Sequence, residues 1–600
     1  MRLRFRPGLR LIALLSAFLA GSGVIGGRLV QVQGLDSRRF AALAADQRER
    51  RFVLPPQRGL ILDREGRPLA MSVDMQTVVA NPRVVRDEDR TATARSIAEA
   101  LGADPASILA KLSKPNGFVY LARKIDPAAA ERVRRLGVPG VEVLPESKRV
   151  YPGGRLASHI LGFAGLDNEG LEGLERQYDD LLRGRPGELL IERDPTGRSI
   201  PVGRNSQTAP VAGHDLVLTI DREIQHTAQA ALAQAVTTWN AKGGSIIVLD
   251  TRSGDILAMA NAPDFDPNDV AGSSAADRRN RAVVDVYEPG SASKVVTAAA
   301  ALESGVVEAS DVMQVPDRFK VGRKTFHDAH PHRTLELTFA EVIEQSSNVG
   351  TIKVALELGR ERLHSWLRRF GYGRPTGLGF PGESSGILPA PDKWWESSMG
   401  TIPIGQGVAV TGLQIASVYA TVANGGLAVQ PRLVRATVDA SGKRQEAAPA
   451  QRRRVIGSGT ARTLTRILLG VTEGAHGTGR AAAIPGYQVA GKTGTAQKPR
   501  TDSRGYAGYI GSFMGFAPAG DPRLVVAVIL DEPTPIWGGV TAAPAFKEVM
   551  QFSLRRLGIG PGPVLPPPGA EGSPLPAPDR SGGVAPDPAL PPPPTGETAD

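Results

Sequence analysis

Three short stretches carry side chains able to act together on an acyl group. They are Ser291 and Lys294 in YEPGSASKVVTAAAALESG, Ser346 and Asn348 in EQSSNVGTIKVALELG, and Lys492 to Thr495 in PGYQVAGKTGTAQK. A serine hydroxyl is a poor nucleophile until a neighbouring base takes its proton. Lysine can be that base where burial and nearby cations disfavour its charge. Pro289-Gly290 forms a turn, and the alanine-rich run from Ala292 to Leu302 predicts a helix. Ser291 then stands at the helix N-terminus, with Lys294 one turn on along the same face. The helix end also offers N–H groups to an oxyanion. Alone, S-x-x-K is a trivial pattern and Ser291 reads equally well as an N-cap, but the pattern occurs only once in the chain.

Ser346-Ser347-Asn348 falls where a helix through Val342 and Ile343 gives way to another near Val349. Its hydroxyl and amide are placed to hold Lys294 and pass on a proton. If YQVAGKTGT is a strand, Gly494 removes a side chain so that a substrate can lie along the edge. Lys492, Thr493 and Thr495 then meet a carboxylate.

Gly486 to Thr493 also fits the nucleotide-binding pattern G-x-x-x-x-G-K-[ST], and LVVAVILDE resembles the strand and acidic pair that would hold magnesium. That reading needs a strand before the first glycine and a helix after the lysine. GRAAAIP precedes it and GTAQKPRTDSRG follows, so both requirements fail. His327, Asp328, His330 and His332 crowd one loop without regular ligand spacing and are not read as a metal site.

The elements that must position these residues are legible around them. PPQRGLILDREGRPLAMSV predicts turn, strand, turn and strand, after a polar stretch at 36–51 with helical character. Ile224, Ala228, Ala231, Leu232, Ala235, Val236 and Trp239 recur at helical spacing. GGSIIVLDTRSGDILAMAN predicts a hairpin. YIGSFMGFAPAGDPRLVVAVIL predicts a second one, followed by a helix through Phe546, Val549, Met550 and Leu554. Helices flanking an antiparallel sheet make an α+β domain. From Pro561 onward the chain is proline-rich and is expected to be disordered.

At 600 residues and 41% hydrophobic content, two or three domains are expected. The net charge of +10 suits nucleic acid, an anionic membrane surface or an acidic polymer, but no aromatic-rich basic stripe supports nucleic acid. Cysteine is absent, which excludes disulfides and thiol chemistry. Arg2, Arg4, Arg6 and Arg10 precede an uncharged run from Leu11 to Gly27. Such a run just spans a bilayer, with the arginines cytoplasmic and the remainder outside. It reads as an uncleaved anchor, since apolar character continues to Leu29 and Val30; a cleaved signal peptide is the alternative. Export argues further against an ATPase.

The order S-x-x-K, S-x-N, K-T-G is the published motif set of penicillin-binding proteins and class A β-lactamases. With it, RGLILDREGRPLA, RVYPGGRLASHILGFAG and GLEGLE resemble the N-terminal signatures of class B penicillin-binding proteins. TFHDAHPHRTLEL, GQGVAVTGLQIASVYATVANGG and IWGGVTAAPAFKEVM are most similar to the septal, FtsI-type branch. The resemblance runs from the anchor to about Leu557. It implies a penicillin-binding serine transpeptidase fold of α+β class behind a mixed pedestal domain and one transmembrane helix. The expected divisions are a cytoplasmic tail at 1–10, the membrane helix at 11–30, a linker and pedestal (dimerisation) domain at 31–213, the transpeptidase domain at 214–558 and a disordered tail at 559–600.

The same resemblance implies a peptidoglycan D,D-transpeptidase of the division septum, anchored in the inner membrane with a periplasmic catalytic domain and inhibited by β-lactams. Ser291 would be the nucleophile, Lys294 the base, Ser346 the proton relay and Asn348 a positioning group. Lys492, Thr493, Gly494 and Thr495 would bind the substrate, with no metal or cofactor; Asp328 and His330 match loop residues that the family carries without metal. Partners implied are peptidoglycan stem peptides, a SEDS glycosyltransferase and other division proteins. A lateral-wall transpeptidase, a β-lactam sensor and an idle division scaffold are the alternatives.

Overall fold

The computed structural model describes residues 7–36, 49–192, 206–500 and 505–566. Expectations for the arginine tail before Pro7, for most of the polar stretch at 36–51 and for the tail beyond 566 fall outside the described residues. Of that polar stretch, Glu49 to Arg51 belong to a strand, Glu49–Leu54, rather than a helix. Helix α1, Pro7–Val30, is exposed along its apolar side chains. It overlaps the one segment among the described residues, Leu11–Gly34, long and apolar enough to cross a membrane.

The chain forms two compact units interleaved in sequence: residues 1–58, 72–148 and 183–213 in one, and 59–71, 149–182 and everything from His214 in the other. The single boundary expected at 213 is therefore crossed by two excursions. Strand pairing explains the first of them. Ile61 and Leu62 pair in parallel with Leu216 and Val217, so this short strand belongs with residues far along the chain. In the second excursion Arg149 is buried against Glu175 at 2.7 Å and donates to the Gly59 carbonyl at 2.7 Å. The first unit has its own small core, built by Val78, Ile97, Ile108, Leu112, Leu121 and Val133.

In the second unit the predicted helix is α2, Arg222–Thr238, started by Asp221 accepting from the N–H groups of Glu223 and Ile224. The two predicted hairpins are strands β1 (Gly243–Asp250) with β2 (Ile256–Ala262), and β4 (Tyr506–Ala517) with β5 (Leu524–Asp531). Strand β3, Ala490–Pro499, completes an antiparallel sheet in the order β2-β1-β5-β4-β3. One face packs Ile246, Val248, Val526 and Val528 against α2 and the last helix, α8. That helix, Ala543–Arg556, contributes Phe546, Val549, Met550 and Leu554. The other face turns Ile247, Leu249, Val525 and Ala527 toward an all-helical layer. A sheet buried on both faces explains why its strands read as continuous apolar runs rather than alternating ones. The architecture is the α+β one expected.

The helical layer carries the chemistry. It contains α3 (Lys294–Glu303), α4 (Phe339–Glu344), α5 (Asn348–Leu358), α6 (Gly412–Ala423) and α7 (Ser458–Glu473). Helix α3 runs through the middle of the core, with Ala298 to Ala301 wholly unexposed. The start of the proline-rich tail is not free. The Tyr487 hydroxyl donates to the Ile559 carbonyl at 2.6 Å, and Gln488 exchanges two hydrogen bonds with the Leu565 backbone, at 2.7 and 3.0 Å. Proline-rich composition predicts disorder only where nothing pairs with the backbone, and here a side-chain amide does.

Candidate active site

Ser291 lies in a single 3-10 turn, Gly290–Ser293, that leads directly into α3. The turn is fixed from several sides. Gly290 has φ +54° and a Cβ there would meet the Ala496 Cβ at 2.9 Å, so only glycine lets the turn lie this close to β3. The Gly290 N–H donates to the Gly405 carbonyl at 3.0 Å. The Ser293 hydroxyl bonds the Tyr372 hydroxyl at 2.8 Å, and the Tyr419 hydroxyl donates to the Ala292 carbonyl at 2.9 Å. These aromatic anchors come from distant segments and carry no local sequence signal.

Lys294 is completely buried. Its Nζ contacts the Ser346 carbonyl at 2.5 Å, the Asn348 Oδ1 at 2.7 Å and the Ser346 hydroxyl at 3.3 Å. The predicted meeting of the first two motifs is thus present in the structure. Burial pulls the ammonium down to about 7, against the opposing pull of the Asp328 carboxylate. An ammonium donates to all three oxygens, whereas a neutral amine has only two protons. On deprotonation one of the three contacts, the longest being that to the Ser346 hydroxyl, loses its donor and Nζ gains a lone pair able to accept a proton.

Ser346 is held at φ +61°, a left-handed conformation costing a non-glycine residue roughly 1–2 kcal/mol. That conformation accompanies the break between α4 and α5 and points the Ser346 carbonyl at Lys294. Helix α4 is started by a capping box between Thr338 and Glu341. Helix α5 is capped by two side chains: Ser347 accepts from Gly350 N–H at 3.0 Å, and Asp328 Oδ1 accepts from the N–H groups of Asn348 at 2.5 Å and Val349 at 3.0 Å. Asp328 is thus the residue whose role sequence reasoning missed. It sits twenty residues before the helix it caps, and only its place in the histidine-rich loop drew attention to it.

Lys492 is also fully buried, and burial and the charge of Lys294 together hold it well below its usual value. The Thr493 hydroxyl bonds that of Thr478 at 2.8 Å, and Thr495 accepts from the Gly538 N–H at 3.3 Å. Thr478 is a second residue not foreseen. Strand β3 is the last strand of its sheet, so alternate N–H and C=O groups along it face away from β4. At Gly494 a Cβ would meet the Ser512 hydroxyl at 2.3 Å, the Pro289 carbonyl at 3.4 Å and the Ala292 Cβ at 3.5 Å, so its missing side chain makes room for the nucleophile turn and the neighbouring strand.

The nucleotide-binding pattern is a strand throughout its lysine and threonines. The acidic pair offered for magnesium is engaged elsewhere, with Lys498 Nζ at 2.7 Å from Asp531 and 3.0 Å from Glu532. Two histidines of the Asp328 loop take part in hydrogen bonds, His327 receiving Asn348 Nδ2 on its carbonyl at 3.0 Å and His332 meeting Asp328 at 3.2 Å, while His330 lies against Trp537 with ring centroids 6.0 Å apart.

A serine on a helical turn, a buried lysine of lowered basicity and a lysine-bearing edge strand together describe a serine acyl-transfer enzyme. Residues 244–551 match the penicillin binding protein transpeptidase domain, and residues 53–218 the penicillin-binding protein dimerisation domain. The chain belongs to the class B penicillin-binding proteins, the two-domain family of the FtsI and PbpB type. It is 37% identical to penicillin-binding protein PbpB of Mycolicibacterium smegmatis, over 92% of this chain and 90% of that one. It is 36% identical to peptidoglycan D,D-transpeptidase FtsI of Escherichia coli K12, over 84% of each. Among solved structures, penicillin binding protein 3 of Mycobacterium tuberculosis in complex with aztreonam matches with a TM-score of 0.68 at 33% identity, over 85% of this chain and 98% of that one.

Proposed function

We propose that this chain cross-links peptidoglycan stem peptides through a Ser291 acyl-enzyme and that β-lactams inhibit it by acylating the same serine. The observation carrying this reading is the fully buried Lys294, bonded to Ser346 and Asn348 beside the nucleophile turn. Neutral Lys294 takes the Ser291 proton as Oγ attacks the penultimate D-Ala carbonyl. The oxyanion is held by the N–H groups of Ser291 and Thr495. The proton travels through the Ser346 hydroxyl to the departing nitrogen as the C–N bond breaks and terminal D-Ala leaves. Lys492, Thr493 and Thr495 hold the terminal carboxylate, a pairing that restores charge to a buried lysine. An amine from a second stem peptide then attacks the ester, the reverse proton path frees Ser291, and the cross-link forms. Asn348 positions Lys294 and the donor amide.

Fluorescent penicillin should label the purified protein in a one-to-one ratio, and Ser291→Ala should abolish labelling; persistent stoichiometric labelling of the alanine variant would remove Ser291 from this role. Thr478→Val leaves Thr493 without its hydroxyl partner. We expect it to raise the KM for a D-Ala-D-Ala donor about three- to tenfold with a smaller change in kcat, in line with the net worth of one hydrogen bond. An unchanged KM would release Thr478 from any part in holding Thr493.

We further propose septal duty, with the apolar N-terminal helix as inner-membrane anchor and a SEDS glycosyltransferase among the division partners. The likeness of TFHDAHPHRTLEL and IWGGVTAAPAFKEVM to the FtsI branch supports it. A fluorescent fusion should mark mid-cell and depletion should give filaments. Lateral label with rounded cells would assign the enzyme to side-wall growth instead.

A further inference from the structure

Both ring nitrogens of His332 face acceptors. Nδ1 lies 2.7 Å from the Arg333 carbonyl and Nε2 lies 3.2 Å from Asp328 Oδ2. A neutral imidazole carries one N–H and can satisfy only one of them. The second proton cannot come from Asp328. Its Oδ1 already accepts from the N–H groups of Asn348 and Val349, and its Oδ2 accepts the Ser347 hydroxyl at 2.7 Å. The Ser347 oxygen is itself taken by the Gly350 N–H, so its proton is committed to Asp328. Three donors converge on the carboxylate before His332 is counted, which is the environment of an anion. With side-chain exposures of 17% and 12%, His332 and Asp328 are shielded from bulk solvent.

This pair is wired to the catalytic lysine. Asp328 caps α5 through Asn348, whose Oδ1 receives Lys294 Nζ and whose Nδ2 donates to the His327 carbonyl, the residue adjoining Asp328. We propose that His332 stands as an imidazolium paired with Asp328 in the working enzyme, and that this pair is a positioning element that sets the charge balance at Lys294 across neutral pH. The proposal rests on the reading of Lys294 as the acylation base.

The charges facing the two sites fix the expected signs. Lys294 faces Asp328 across α5 and Lys492 from β3. His332 faces Asp328 and Asp317, the latter paired with Arg318 at 3.4 Å, and its own neighbour Arg333 supplies the carbonyl. The Arg333 carbonyl first, and Asp328 and Asp317 after it, outweigh partial burial and raise the His332 imidazole above its ordinary value. Asp328 favours the protonated form of Lys294, and a cationic His332 cancels part of that field. As pH rises and His332 loses its proton, Asp328 acts uncancelled and Lys294 gives up its proton less readily. The acid limb of acylation is then spread over a wider pH range than one titrating base would give.

The test is the pH–rate profile for acylation by fluorescent penicillin, measured on the full chain in detergent between pH 5.5 and 9.5 for the wild type, His332→Gln and Asp328→Asn. His332→Gln removes the cancelling charge and should move the acid limb upward by about 0.5 to 1 pH unit, the size of one partly screened charge–charge interaction. Asp328→Asn keeps an oxygen acceptor at the helix cap, removes the anion, and should move the limb downward, by less than the His332→Gln shift because His332 then loses part of the support for its own charge. Damage to the fold would lower the plateau of either variant without sending the two limbs in opposite directions. Limbs that stay with the wild type, or that move together, overturn the proposal. If Asp328→Asn does not fold, His332→Gln decides alone, an unmoved limb counting against it. A wild type that is not acylated at any pH would instead defeat the underlying assignment of Lys294.

Discussion

Lys294→Met should slow acylation by fluorescent penicillin by about three to four orders of magnitude, near the upper range for loss of a general base, while the protein still melts cooperatively. Methionine nearly matches the lysine stem in volume, so the packing around α3 is kept. Removing an ammonium from a fully buried position relieves a desolvation cost. Against that, the Ser346 carbonyl and Asn348 Oδ1 lose their donor, at about 1–3 kcal/mol for each polar group left unsatisfied. The two effects oppose each other, and the melting temperature is expected to move by only a few degrees. The pH dependence supplies a sharper signature. On the proposed mechanism the active species in the wild type is the neutral amine, so acylation should rise with pH through about 7 as Lys294 gives up its proton. In Lys294→Met that rise should vanish and leave a flat, slow profile. A folded variant acylating at close to the wild-type rate would remove Lys294 as the base.

The acyl-enzyme formed with penicillin should persist for an hour or more, with negligible release of penicilloate. A rate constant of roughly 10⁻⁴ s⁻¹ corresponds to a barrier of about 23 kcal/mol. A β-lactamase of class A lowers the hydrolytic barrier with a glutamate acting through a bound water. The segment after Asn348 supplies Glu357 and Glu361, both exposed. Glu357 is on α5 and Glu361 lies in the first turn of the following helix, and neither is followed by Leu-Asn. Lys294, the proposed acylation base, is held by its contacts to Ser346 and Asn348. The tethered leaving group of the drug also obstructs an incoming amine. Intact-mass spectrometry after removal of free penicillin measures this directly. Rapid return to the unmodified mass, with penicilloate released, would convert the assignment from transpeptidase to hydrolase.

What the sequence revealed and what it hid have different physical causes. The two hairpins, helix α2 and the last helix follow from local periodicity, and the structure places them where that periodicity puts them. The meeting of Ser346 and Asn348 with Lys294 was legible because the three motifs stand in the order S-x-x-K, S-x-N, K-T-G, although each alone reads as a cap or a loop. Asp328 and Thr478 were hidden because each acts on a residue brought near only by the fold: a helix cap supplied from a separate loop, and a hydroxyl pair between a loop and a strand. The close approach of the Ser512 hydroxyl and the Pro289 carbonyl to Gly494 was hidden for the same reason, since both come from distant parts of the chain. The interleaving of the two units was invisible because a two-residue strand such as Ile61–Leu62 carries no signal about which partner it will pair with. At Ile559 and Leu565, Tyr487 and Gln488 supply bonds that proline content cannot anticipate.

The unexposed alanines of α3 have a bearing on how this enzyme can change over generations. Ala298, Ala299, Ala300 and Ala301 leave no space behind the nucleophile turn, and adding methyl groups to such a position typically costs about 1–3 kcal/mol. Against a total stability of about 5–15 kcal/mol, two such changes together would imperil folding before they altered chemistry. Heritable variation in what the site accepts is therefore channelled away from its rear wall. Exposed positions are freer: His330 and Trp537 approach with ring centroids 6.0 Å apart and both are exposed, so that side chains there can be exchanged at little cost to the fold.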